Sequence, residues 1–297
     1  MNDKKDLLFE GAATALITPF RDGRIDFPAL ERLIDFQIAG GISALVIAGT
    51  TGEASTLTHA EHAALIGAAV RYTKGRVPLI AGCGSNSTAV ACRLAESSRD
   101  AGADGLLAVT PYYNKATPEG LYRHYIAIAD TTDLPLILYN VPSRTTVDIP
   151  ISVCKRLSEH PRIIGIKEAA GSITKSADII AACGRDFAVW SGNDDMILPI
   201  MALGGRGVIS VLSNLFPAEV SELCRAQTEG RHLAAASIQL RYAELIKALF
   251  AQVNPIPVKT AMAALGYCSE EFRLPLCTLS EKERSVLLDT VMKYASV

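Results

Sequence analysis

Short apolar runs recur along the chain and alternate with segments of helical periodicity. Each run is nearly continuous in Ile, Leu, Val and Ala, and polar residues follow it rather than interrupt it. Such runs are typical of parallel strands covered on both faces. Successive runs begin 20 to 34 residues apart, about the length of one βα unit. Eight strands are predicted, at residues 13–18, 44–48, 78–82, 105–110, 135–140, 163–167, 187–191 and 207–211.

Helix signals occupy the segments between these runs. Thr58 and Glu61 fit a capping box. Thr117 precedes a proline suited to a first helical turn, and Asp26 is placed to cap a helix that stops at Gly40. After the eighth run, the pattern predicts three further helices, at residues 217–229, 232–252 and from 281 onward.

Eight successive βα units predict an α/β protein of the (β/α)8 TIM-barrel class with a C-terminal helical extension. The rival is an open doubly wound sheet, which usually carries a Gly-x-Gly-x-x-Gly turn after its first strand. Here Thr18-Pro19 follows instead. We therefore predict a barrel over residues 1–214 and a barrel-closing and C-terminal helical region over 215–297.

The charge and composition of the chain argue against nucleic acid, a membrane or a metal ion as a partner. The net charge of the 297 residues is −2 with no basic block, so nucleic acid is not an expected partner. No apolar run is long enough for a membrane span, and the N-terminus lacks the apolar core of a signal peptide. The seven cysteines form no Cys-x-x-Cys pair, which predicts reduced thiols in a cytoplasmic protein. His59 and His62 lack a third ligand nearby in sequence, so no metal is predicted.

Polar residues cluster directly after several predicted strands, where the active sites of barrels lie. Lys167 ends the sixth strand behind a run of isoleucines, although lysine is rarely buried without a partner. The strand ends together hold an amine, three phenols, hydroxyls and a guanidinium, at Thr50, Thr51, Tyr112, Tyr113, Tyr139, Arg144 and Lys167.

These groups suit Schiff-base chemistry. Burial lowers the pKa of a lysine, and the neutral amine can then attack a ketone to form an iminium that acts as an electron sink. Tyr139 lies one strand away, where it could move protons, with Thr50 and Tyr113 passing them on. Thr51 could hold one substrate carboxylate, and Arg144 could hold a second in a bidentate fork.

Each residue also has a purely structural interpretation. The lysine could be salt-bridged, the Tyr112-Tyr113 pair could be interface or core aromatics, and the glycines around Thr50 could form only a tight turn. Arg144 could pair with Asp148 at the surface.

Four motifs together are specific, and they resemble the pyruvate-dependent class I aldolase family of dihydrodipicolinate synthase and N-acetylneuraminate lyase. The resemblance extends from Gly11 to the C-terminal helices. The motifs are Gly49-Thr50-Thr51-Gly52-Glu53, Tyr139-Asn140-Val141-Pro142, Gly165-Ile166-Lys167-Glu168 and Asn254-Pro255-Ile256-Pro257-Val258-Lys259.

Within this family, Arg144 in Ser143-Arg144-Thr145 favours the synthase branch, which condenses pyruvate with aspartate-4-semialdehyde in lysine biosynthesis. The alternatives are a sister aldolase acting on a sugar-derived 2-oxo acid, and a non-catalytic ligand-binding barrel. A pyridoxal-phosphate enzyme would need a phosphate loop that the sequence does not show.

The resemblance implies a role for each strand-end residue and no cofactor. The implied catalytic set is the Schiff-base lysine with its proton relay, Lys167, Tyr139, Thr50 and Tyr113. Tyr113 would cross a dimer interface within a homotetramer built as a dimer of dimers. The implied substrate contacts are Thr51 to pyruvate, Arg144 to the aldehyde, and the backbones of Gly192 and Ile209.

Two positions depart from the family pattern. A regulatory cleft is implied at Ser85, Asn86, His59, His62 and Tyr112, but Val90 stands where lysine-inhibited members carry a glutamate. Weak or absent inhibition by lysine is therefore predicted. Thr146 replaces a glycine common after Ser-Arg-Thr.

Overall fold

A computed structural model describes residues 7–295 and contains all eight predicted strands. Each strand pairs in parallel with the next, and the eighth pairs with the first, so the sheet closes into a barrel. The strands are β1 Gly11–Ala15, β2 Ala44–Ile47, β3 Leu79–Gly82, β4 Gly105–Val109, β5 Leu136–Asn140, β6 Ile163–Glu168, β7 Ala188–Ser191 and β8 Gly207–Ser210. The predicted (β/α)8 class is confirmed.

Helices surround the barrel and continue beyond its last strand. The predicted caps are present: Thr58 and Glu61 form the capping box, while Asp26 and Thr117 accept from first-turn amides. The helices are α1 Phe27–Ala39, α2 His59–Thr73, α3 Thr88–Asp100, α4 Pro118–Thr131, α5 Pro142–Thr145, α6 Ile151–Ser158, α7 Ile173–Cys183, α8 Ile197–Ala202, α9 Pro217–Thr228, α10 His232–Arg241, α11 Ala243–Leu249, α12 Ile256–Ala264 and α13 Glu281–Ala295. None in this described part is long and apolar enough to cross a membrane.

The first strand begins and ends earlier than predicted. Leu16 and Ile17 extend the apolar run and are buried, but the amide of Ile17 donates to the Asn214 side chain rather than to a neighbouring strand. The short hairpin Phe20–Arg21 with Arg24–Ile25 follows, and it was not predicted. Its turn is Asp22-Gly23, with both residues at positive φ, which is the backbone that favours this dipeptide.

The C-terminal region confirms the helical extension but corrects its details. The helix predicted at 232–252 breaks at Tyr242, whose ring packs between Phe216 and Tyr294. Helix α12 was not predicted, because Pro255 and Pro257 punctuate its start. Proline is nevertheless compatible with a first helical turn, where amide donors have no intrahelical partner. The division at residue 214 stays a prediction.

Two apolar layers position the strand ends. One fills the barrel and includes Tyr139 and Trp190; the other lies between the strands and the helices. Lys167 is the register partner of Tyr139. Because parallel partners point to the same side of a sheet, both side chains face the barrel interior.

Candidate active site

The predicted lysine lies at the carboxyl end of β6 and is 6% exposed. Its Nζ atom is 4.4 Å from the centre of the Tyr139 ring. Burial lowers the pKa of Lys167 to about 8; the charge of Asp194 acts to raise it and that of Arg144 to lower it. About a tenth of the amine is therefore neutral at pH 7, far more than at the ordinary pKa of 10.5, and the neutral form is the nucleophile.

Tyr139 is the last residue but one of β5 and lies beside the lysine. Burial raises the pKa of its phenol, while Arg144 and a hydrogen bond with Thr50 act in the opposite direction. The phenol consequently holds its proton at neutral pH. Thr50 follows β2 in the turn after that strand. Lys167, Tyr139 and Thr50 thus form one connected group in a single chain.

A polar network on the outer side of the sheet holds the ends of β5 and β6 together. Asn140 and Glu168 are register partners, one residue beyond Tyr139 and Lys167. The Asn140 amide donates to both Glu168 carboxylate oxygens at 3.1 and 3.0 Å and to Asp148 at 2.8 Å. Burial raises the pKa of Glu168. This network fixes the two reactive side chains relative to each other.

Thr51 and Arg144 lie on different elements and meet at Asn254. The Asn254 side-chain amide donates to the Thr51 hydroxyl at 2.9 Å, and its backbone carbonyl accepts from Arg144 Nη2 at 3.3 Å. Asp148 pairs instead with Lys175, so the alternative Arg144–Asp148 pair is wrong. Arg144 lies in the short helix α5, whose C-cap residue Thr146 has a φ of 59°. That left-handed backbone costs a non-glycine residue roughly 1 kcal/mol.

Gly192 directly follows β7, and Ile209 lies in β8. A Cβ atom at Gly192 would lie 2.6 Å from the Cβ of Ala169 and 3.1 Å from Lys167 Cε, so only glycine fits there. Ile209 is buried in the barrel interior. Asp194, after β7, accepts from the Ser210 hydroxyl and from two backbone amides, and burial raises its pKa.

The structure does not bring Tyr113 to the other relay residues within one chain. Tyr113 follows β4 and is 90% exposed, and Tyr112 beside it is 38% exposed. Tyr113 has a φ of 70°, an uncommon backbone for a bulky residue. Its exposure and strain set it apart from the buried residues Lys167 and Tyr139.

A cavity of about 450 Å³ opens between the strand ends and helices α2 and α3. It joins the site residues Thr50, Tyr139 and Arg144 to four members of the predicted cleft, although Lys167 and Asn86 are not in its lining. The backbone carbonyl of Asn86 accepts a hydrogen bond from the side-chain amide of Asn114. The four cleft members in the lining are His59, His62, Ser85 and Tyr112. Val90 also lines the cavity.

His62 is a structural residue of that cleft. Its Nε2 donates to the carbonyl of Gly82 at 2.7 Å, and burial lowers its pKa. Within residues 7–295, no group of three or more His, Cys, Asp or Glu side chains is arranged to hold a metal ion.

Comparison with known proteins decides the family. The model of the dihydrodipicolinate synthetase family matches residues 8–294, nearly the whole chain. The chain belongs to this family. The resemblance inferred from the four sequence motifs is thereby confirmed.

Family members with curated names cover the same length. The chain is 50% identical over 286 residues to the 4-hydroxy-tetrahydrodipicolinate synthase of Alkaliphilus oremlandii, covering 96% of this chain and 99% of the relative. The corresponding enzyme of Persephonella marina is 49% identical, covering 95% and 98%. A crystal structure of dihydrodipicolinate synthase from Aquifex aeolicus matches with a TM-score of 0.95 at 45% identity, covering 97% and 98%.

Several residues of this family site had no role assigned from sequence. Asn140, Glu168 and Asn254 lie inside the family motifs, directly beside residues that were assigned roles. A polar residue on the outer face at a strand end is the signal that could have found Asn140 and Glu168. The role of Asp194 could not be found in this way, because its partners lie 16 to 18 residues further along the chain, at the end of β8 and directly after it.

Proposed function

We propose that the chain is a class I lyase that condenses pyruvate with aspartate-4-semialdehyde to 4-hydroxy-tetrahydrodipicolinate, a step of lysine biosynthesis. The buried amine of Lys167 against the ring of Tyr139, at the mouth of the barrel, carries this proposal. The full-length relatives with that enzyme name support it. The reaction needs no cofactor, because the covalent Schiff base supplies the electron sink. We place the enzyme in the cytoplasm.

The first half-reaction forms the Schiff base. The lone pair of Lys167 attacks the keto carbon of pyruvate, and loss of water from the resulting carbinolamine leaves an iminium. Tyr139 supplies a proton to the departing oxygen and recovers one through Thr50. The hydroxyl of Thr51 holds the pyruvate carboxylate, and the backbones of Gly192 and Ile209 line the pocket.

The second half-reaction joins the two substrates. A proton passes from the methyl carbon of the bound pyruvate to the Tyr139–Thr50 relay, which leaves an enamine. The enamine attacks the aldehyde carbon to form a carbon–carbon bond, and the resulting alkoxide takes a proton from Tyr139. The amine of the semialdehyde then attacks the iminium carbon, which closes the ring and releases Lys167 unchanged. Arg144 binds the carboxylate of the semialdehyde in a charge-assisted hydrogen bond.

Substrate comparison tests the proposal. Product formation from pyruvate with aspartate-4-semialdehyde is expected to exceed that with sugar-derived aldehydes by orders of magnitude in kcat/KM. Arg144 favours a second substrate that carries a carboxylate. A preference for sugar aldehydes would assign the chain to the sister aldolases instead.

The pH dependence of adduct formation follows from the pKa of Lys167. Only the neutral amine attacks, and the pKa is lowered from 10.5 to about 8. The initial rate of pyruvate trapping by cyanoborohydride should rise about tenfold per pH unit below about 8 and level off above it. A rate that keeps rising toward 10.5, the value of a solvated lysine, would contradict an activated amine.

The exposure of Tyr113 predicts a dependence of activity on assembly. We propose a homotetramer built as a dimer of dimers in which a partner's copy of this phenol completes the relay. Specific activity should therefore fall when the enzyme is diluted below its dimer dissociation constant, as followed by sedimentation. Full activity in a proven monomer would contradict this. A relative is described as a monomeric dihydrodipicolinate synthase variant, so the assembly must be measured for this chain.

Val90 predicts weak feedback inhibition by lysine. The lining of the cavity among the described residues contains no carboxylate, so the ligand's ammonium group would lack a charged partner. Lysine should inhibit the wild type poorly. Val90→Glu should lower the inhibition constant at least about tenfold, whereas the uncharged control Val90→Gln should not. A micromolar inhibition constant for the wild type would contradict the prediction.

A further inference from the structure

Asn254 connects the residues that bind the two substrates. It is 6% exposed and precedes α12, far in sequence from both of its partners. Its side chain donates to the Thr51 hydroxyl, and its backbone carbonyl accepts from Arg144. One residue therefore touches the proposed pyruvate contact and the proposed aldehyde contact.

The direction of the first hydrogen bond matters. A hydroxyl has one hydrogen and two lone pairs. Because the Thr51 oxygen accepts from the Asn254 amide, its own hydrogen stays available for another acceptor. Across residues 7–295 the Thr51 hydroxyl donates to no protein group, so its hydrogen is free for a substrate carboxylate.

The segment that carries Asn254 is anchored to the same turn a second time. Five residues on, Lys259 donates to Glu53 at 2.6 Å, and both side chains are fully buried. The backbone amide of Arg273 also donates to Glu53. Removing one partner of such a buried pair costs about 3–5 kcal/mol, so the segment is held firmly against the turn that carries Thr51.

We propose that Asn254 is a positioning residue whose side-chain amide orients the Thr51 hydroxyl toward the carboxylate of the first substrate, while its backbone carbonyl orients Arg144. This role rests on the proposed function. The role can be tested for each half-reaction separately. A substitution of the Asn254 side chain removes the hydrogen bond to Thr51 and keeps the backbone hydrogen bond from Arg144.

Steady-state kinetics of Asn254→Ala tests the role. In a reaction with a covalent intermediate, kcat/KM for each substrate reports its own half-reaction. Asn254→Ala should lower kcat/KM for pyruvate about tenfold and leave kcat/KM for the aldehyde within about twofold. Asn254→Asp, which keeps the shape but lacks the donor, should lower the pyruvate value at least as much. Equal losses for both substrates in both variants would overturn the role.

A double-mutant cycle with Thr51→Val tests the connection itself. Thr51→Val alone should lower kcat/KM for pyruvate about tenfold, and adding Asn254→Ala should change it less than about twofold further. Multiplicative losses, about a hundredfold together, would overturn the proposal. The matched control is Thr260→Val, which removes a partly buried hydrogen bond to Glu270 from helix α12, directly after Asn254. It should lower the melting temperature without changing kcat/KM for pyruvate.

Turnover by the wild-type enzyme distinguishes a failure of the proposed function from a failure of the role of Asn254. Turnover by the wild type with multiplicative losses in the cycle would reject only the role of Asn254. Absence of turnover with pyruvate and aspartate-4-semialdehyde would reject the proposed function and this role with it.

Discussion

Lys167→Met is expected to lower kcat on the order of a thousandfold or more, because it removes the nucleophile that forms the covalent intermediate. Methionine has a similar length and no charge, so the pocket keeps its shape. The measurement is product formation at saturating concentrations of both substrates. A variant that keeps more than a tenth of the wild-type kcat would show that the amine is not the nucleophile.

The same substitution should also stabilise the fold. The pKa of Lys167 falls from 10.5 to about 8 on folding, which corresponds to about 3 kcal/mol. This penalty is fully present below pH 8, where both states are protonated, and it is relieved as the pH rises to 10.5. Lys167→Met should therefore raise the melting temperature at pH 7. An inactive variant that is also less stable would indicate a structural lysine.

Tyr139→Phe is expected to lower kcat by about a hundred- to a thousandfold, because it removes the group that carries protons in both half-reactions. The ring and its packing against Lys167 remain. Losses should appear in kcat/KM for pyruvate and for the aldehyde alike, unlike those expected for Asn254→Ala.

Tyr125→Phe is the matched control for this variant. Tyr125 is also fully buried, and its hydroxyl donates to the carbonyl of Ala108 at 3.4 Å, away from the strand-end cluster. Its removal should leave kcat within about twofold. Similar losses in the two variants would point to general disruption of the barrel rather than to a proton relay.

The barrel itself could be predicted from the sequence because its strands are buried on both faces. Continuous apolar runs such as those of β2 and β6 leave little alternative to a covered parallel sheet. The exact end of β1 could not be predicted, since Leu16 and Ile17 stay buried although the strand ends at Ala15. Apolarity indicates burial and does not indicate which partner accepts a backbone hydrogen bond.

Part of the candidate site could be predicted from the sequence and part could not. Local context indicated Lys167 and Tyr139, because a polar group at the end of an apolar strand is visible in the sequence. The contact of Asn254 with Thr51 spans 203 residues, and that of Lys259 with Glu53 spans 206. No local pattern encodes such pairs, which arise only when the barrel closes and the C-terminal helices return to its mouth.

Reductive trapping tests the central claim most directly. The wild-type protein is incubated with pyruvate and borohydride, digested, and mapped by mass spectrometry. The account predicts one stable adduct, on Lys167, and none on Lys259, the other lysine that is buried among residues 7–295, whose amine is held by Glu53. An adduct on any other lysine, or no adduct at all, would contradict the account.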